Sequence, residues 1–88
     1  MKNLPADVGP YEDVCQAAAA VRDTYAAAPD RPATFGQFNS EQLLTACEAA
    51  GVELGAWDRL IVDWLTGWEP ETVAVVVGLV LRAAEANR

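Results

Sequence analysis

The stretch from Trp57 to Leu81 sets the terms for this chain. It reads WDRLIVDWLTGW, then a Glu-Pro-Glu-Thr corner, then VAVVVGLVL. Three tryptophans fall within twelve residues, and nine uncharged residues follow with no polar face among them. Surface that apolar needs a cover, either from the rest of a small domain or from another protein.

The flanking signals predict helices. The Val-rich run suits a strand by propensity, but Glu69 and Pro70 form a helix start and the tail RAAEANR is strongly helical. A lone strand would also have no partner in this chain. A first helix is expected from Pro10, with Glu12 and Asp13 in its first turn. Its apolar face would carry Tyr11, Val14, Cys15, Ala18, Val21, Tyr25 and Ala28, and Pro29 would stop it. The segment PDRPATFGQF then reads as a loop folded back over the core by Phe35 and Phe38. Asn39 as N-cap would put Gln42 three residues on in a capping box, with Phe38 and Leu43 as a hydrophobic staple. The second helix would turn Leu43, Leu44, Cys47 and Ala50 inward and close at Gly51 in a Schellman arrangement, with Val52 folding back on Cys47.

The third helix would start near Gly55 and end near Gly67, with Trp57, Leu60, Ile61, Trp64, Leu65 and Trp68 on one stripe and Asp58, Arg59 and Asp63 off it. The expected fold is therefore all-α: a compact four-helix domain with helices at about 10–28, 39–50, 55–66 and 70–87, after a flexible leader of residues 1–9. The last helix, apolar on all sides, is expected at the centre.

Composition narrows the function. The 88 residues suit one domain, and 52% hydrophobic content is enough to build a core. No run approaches the ~20 apolar residues of a membrane span. The opening MKNLPADVGP lacks the apolar core of a signal peptide, so a cytoplasmic location is expected. Thirteen acids oppose six bases, with Lys2 the single lysine and no histidine, for a net charge of −7. That balance repels phosphate backbones and anionic membranes and favours a basic partner.

Chemistry has little to work with. Histidine, the commonest general base, is missing. The one serine, Ser40, is explained by capping, and the acids Asp58, Asp63, Glu69 and Glu71 by a solvated helix face and a helix dipole. Cys15 and Cys47 read as reduced, buried thiols, and without histidine they cannot complete a zinc site. Neither an enzyme nor a cofactor is expected. Two segments have the outline of a helix-turn-helix, ACEAAGVELGAWDRL and DWLTGWEPETVAV. Their groove-facing residues would be Glu53, Leu54, Gly55, Asp58 and Arg59 in the first, and Glu69, Glu71, Ala74 and Val75 in the second. One arginine cannot offset that much negative and apolar surface.

The tryptophans carry the functional reading. All three could pack into the core, with Trp64, mid-stripe, the strongest core candidate. Trp57 and Trp68, nearer the helix ends, are better placed for exposure. With Asp58, Asp63, Glu69 and Glu71 around them they would form an aromatic anchor with an acidic rim, suited to a basic or amphipathic protein surface.

The block WLTGWEPETVAVVVGL, residues 64–79, resembles a segment of short acidic proteins encoded by actinobacteria and their phages. Heavy use of alanine, and of arginine over lysine, suits a GC-rich coding sequence. What the resemblance implies is a small accessory protein from a mobile element, of the kind that binds and inhibits a host protein. Together these readings point to a protein–protein interaction module, an adaptor or inhibitor. The alternatives are a degenerate helix-turn-helix regulator and a homodimeric structural or assembly subunit.

Overall fold

In the computed structural model, which describes residues 3–87, four helices follow one another: α1 (Val14–Ala27), α2 (Phe35–Ala49), α3 (Ala56–Leu65) and α4 (Pro70–Ala86). The domain is all-α, and the Val-rich run is helical throughout. Lys2 lies outside the described residues.

The first two helices begin where a side chain can satisfy one of their first free N–H groups. For α1 that residue is Asp13, whose carboxylate accepts from the Gln16 amide at 2.9 Å. The helix therefore starts four residues after Pro10, and Tyr11 falls outside it. The inward face is Ala17, Ala20 and Thr24, while Val14 and Cys15 are exposed. The expected stripe is rotated because small side chains let α1 approach α4 closely. Thr24 tolerates burial by donating its hydroxyl to the Ala20 carbonyl at 2.7 Å. Ala28, the residue before Pro29, leaves the helix for extended geometry, as a residue before proline prefers.

Helix α2 starts earlier than expected. Thr34 accepts from the Gln37 amide at 3.1 Å, and the Gln37 side chain accepts from the Ala33 amide at 3.2 Å. Thr34-Phe-Gly-Gln37 is a Thr-x-x-Gln start, so Asn39 caps nothing, and Ser40 sits within the helix. Phe38 is buried against the Tyr25 ring at 5.6 Å, whereas Phe35 is exposed. The C-terminus follows expectation: Gly51 takes a φ of +73°, and the Val52 amide bonds the Cys47 carbonyl at 2.9 Å.

Helix α4 packs against α2 on one side and α1 on another, and α3 touches chiefly α2. The core cluster is Leu43, Ala46, Val73 and Val77, with Val62, Leu65, Val76, Val80 and Leu81 packed on it. Thus α4 is central, but its cover is incomplete: Val75 and Leu79 face outward at 41% and 54% exposure.

Residues 3–13 form a strap with definite contacts. The Asn3 side chain donates to the Thr24 carbonyl at 2.8 Å, and its backbone carbonyl accepts from Gln42 Nε2 at 2.6 Å. Further on, the Val8 carbonyl lies directly over Gly78 of α4, where a Cβ would overlap it.

Candidate interaction surface

Helix α3 departs from every other helix in burying no residue at all. Gly55 caps it, with its amide donating to Asp58 Oδ2 at 2.9 Å, and Thr66 closes it. Only Val62 and Leu65 reach the core cluster. The rest of the apolar arc looks outward: Trp57 is 71% exposed, Leu60 61%, Trp64 59%, Trp68 45% and Ile61 40%.

This corrects the placement of Trp64. It stands in solvent, its ring meeting Trp68 edge-on at 5.4 Å. The physical reason is width. An apolar arc running from Leu60 through Trp57 and Ile61 to Leu65 and Val62 covers more than half the helix circumference. A helix seated on one neighbour buries only part of that arc, and the smaller side chains took the inward part. Trp57 and Trp68 are exposed as expected.

The corner after α3 is held firmly. Asn39, 1% exposed in the second turn of α2, donates its side-chain amide to the Thr66 carbonyl at 3.1 Å and to the Trp68 carbonyl at 2.9 Å. These bonds fix the chain at the base of the Trp64–Trp68 pair. Sequence reasoning missed this role because the residue type, Asn before a helical run, reads first as a cap.

The acidic rim is only partly assembled. Asp63 is exposed beside Leu60 on the next turn of α3. Asp58 is occupied with the α3 N-terminus, and Glu69 caps α4, accepting from the Thr72 hydroxyl at 3.3 Å. Glu71 is elsewhere. It lines a groove with Arg22, Arg31, Tyr25 and Phe35 on the α1 side of the molecule, because one helical residue beyond Pro70 turns it away from α3. Leu60, Ile61 and Trp64 take its place as members of the exposed face.

Three indoles of about 150–250 Å² each, at these exposures, leave roughly 250–450 Å² of aromatic surface in water. With Leu60 and Ile61 the face reaches roughly 400–600 Å², the top of the range for the largest patch on a monomer. The chain matches no known family, no curated protein and no solved structure.

Other features offer less. Among the described residues no group of three or more His, Cys, Asp or Glu side chains is placed to hold a metal. Both cysteines are free, Cys15 exposed and Cys47 half-buried, so Cys15 is not the core residue its register suggested. Burial pushes the Cys47 thiol above its ordinary pKa. The internal space between α1, α2 and α4 is about 10 Å³, too small for an organic ligand. No helix among the described residues is long and apolar enough to cross a membrane.

Proposed function

We propose that this protein is a small non-enzymatic interaction module, an adaptor or inhibitor, whose binding element is the outward face of α3. The observation that carries this reading is the exposure of Trp57, Leu60 and Trp64 on a helix that buries nothing. Isolated side chains in solvent need no explanation, but aligned tryptophans do. Tryptophan is large and rigid, and it loses little entropy on docking. The Asn39 clamp supports the same reading, since it holds the Trp64–Trp68 end of the face in place before any partner arrives.

The helix-turn-helix alternative gains no support. Helix α4, its recognition helix in the second candidate segment, is held between α1 and α2. In the first candidate segment α3 would present tryptophan and leucine to phosphates.

Site-specific photo-crosslinking in the host tests the proposal. A benzoylphenylalanine at Ile61, on the face, is compared with one at Asp23, exposed on α1. Adducts concentrated at position 61 are expected. Equal or absent labelling at the two positions would remove the face from consideration.

A further inference from the structure

The exposed face of α3 carries its own symmetry. From Trp57 to Trp64 the sequence WDRLIVDW reads nearly the same in both directions: Trp, Asp, a variable residue, two aliphatics, a variable residue, Asp, Trp. At 3.6 residues per turn the two tryptophans point within about 20° of each other. Leu60 and Ile61 diverge by about 50° to either side of them. A stripe built this way presents the same shape from either end. A two-fold interface sets residue i of one copy against residue j of the other and j against i. In the antiparallel register centred between Leu60 and Ile61 this pattern sets apolar against apolar at every position of the seam.

We infer that α3 pairs with α3 of a second copy, antiparallel, about a two-fold axis that lies in the seam between the two helices, level with the Leu60–Ile61 peptide. This names the occupant of the face proposed above and rests on that reading. In the pair, Trp57 of each chain lies against Trp64 of the other, Leu60 sits beside Leu60, and Ile61 beside Ile61. All four side chains are at least 40% exposed in the single chain, so all have surface to give. Asp58 and Asp63 fall on opposite edges of the stripe, about 110° from the seam, so neither is trapped in it and each points away from its own copy in the partner. Buried in full, the face of roughly 400–600 Å² supplies half to three quarters of the ~800 Å² per partner of a standard interface, and Val75 and Leu79 are further outward apolar residues on α4.

Charge separates this occupant from a foreign one. Two chains of net charge −7 repel each other, and added salt screens that repulsion while leaving apolar contact intact. A second copy therefore binds more tightly as salt rises. A basic partner would bind more weakly.

The test is sedimentation equilibrium of the full chain across micromolar concentrations, at about 20 mM and 500 mM salt, values chosen to span Debye lengths of roughly 20 to 4 Å. A two-chain mass is expected, with tighter association at high salt. Ile61→Glu, and independently Trp57→Glu, should return the one-chain mass with helical circular dichroism retained. Register is read by oxidation in a Cys15→Ser background. Leu60→Cys should crosslink to itself readily. Trp57→Cys should not, because its two copies lie about 10 Å apart along the axis at 1.5 Å rise per residue, beyond disulfide reach. A one-chain mass under all conditions overturns the pairing, and crosslinks at position 61 in the host would then leave the interaction reading standing with a foreign partner. A two-chain mass indifferent to both substitutions, or equal crosslinking at positions 57 and 60, also overturns it.

Discussion

The side-chain amide of Asn39, in the second turn of α2, donates a 2.9 Å hydrogen bond to the backbone carbonyl of Trp68, 29 residues away. A second bond from the same nitrogen reaches the Thr66 carbonyl. One buried side chain thus satisfies two carbonyls where α3 ends and α4 has not begun. The Asn39 Oδ1 is buried without a donor among the described residues, so the nitrogen carries the hydrogen bonds of the residue.

Asn39→Ala should cost about 2–4 kcal/mol, because it strands two partly buried carbonyls. On a domain this small that is a loss of at least ~10 °C in Tm, readable by thermal circular dichroism. Asn39→Asp should be worse at neutral pH, since it sets an anionic acceptor against two carbonyls. An unchanged Tm in both variants would show that the corner holds itself.

Two helical glycines should respond to alanine with opposite signs. At Gly78 a Cβ would overlap the Val8 carbonyl oxygen, so either the strap or α4 must move. At Gly36 the nearest atoms are 3.9 Å away, and nothing needs to shift. Gly36→Ala should gain a few tenths to ~1 kcal/mol from helix propensity. Gly78→Ala should lose about 1–3 kcal/mol net from overpacking, and the Asn3 and Gln42 contacts of the strap should loosen. Chemical denaturation reports both signs.

The sequence was most legible where local chemistry decides. Gly51 and Val52 close α2 as their positions require, and Gly55 and Pro70 start helices within a residue of expectation. Boundaries failed where two start signals competed. Asn39-Ser-Glu-Gln42 and Thr34-Phe-Gly-Gln37 both satisfy the capping pattern, and the earlier one won because the helix then delivers Asn39 to the α3–α4 corner. No local pattern encodes that contact. The placement of Trp64 failed for a related reason. Helical spacing identifies a stripe but not which part of a wide stripe the neighbours will reach. The face of α1 turned because buried alanines carry almost no hydropathy signal, while exposed Val14 carries a strong one.

Thiol labelling separates the two cysteines. Cys15 is exposed and should react with iodoacetamide at once. Cys47 is half-buried and its thiol is pushed up by desolvation, so less thiolate is present at pH 7–8. Its labelling should lag and accelerate as pH rises past the ordinary thiol range. The sign for stability follows: the folded chain holds this proton more tightly than the unfolded one. The contribution is present at neutral pH and declines as pH rises past the ordinary thiol value. Simultaneous labelling of both at pH 7 would show that Cys47 is open to solvent.

The last expectation contrasts the stripe with the core. Leu43 is 3% exposed within the central cluster, and Leu43→Ala should open a cavity costing about 2–5 kcal/mol. Trp64 is the larger side chain and the more hydrophobic, so a ranking by residue type would make its loss the costlier. Exposure reverses the order. At 59% exposed, Trp64 keeps only roughly 60–100 Å² of its indole from water, worth about 1.5–2.5 kcal/mol, and its one ring contact is the edge-on meeting with Trp68. Trp64→Ala should therefore cost no more than about 2.5 kcal/mol, and less than Leu43→Ala, when measured in dilute monomer by urea denaturation with an unchanged m-value. Trp57→Ala, at 71% exposed and with no ring partner among the aromatic pairs formed, should cost less still. Dilution matters, because association through α3 would stabilise the folded chain by mass action and make both tryptophans look structural. A Trp64→Ala loss equal to that of Leu43→Ala at every protein concentration would place the indole in the core and leave the α3 face without its central residue.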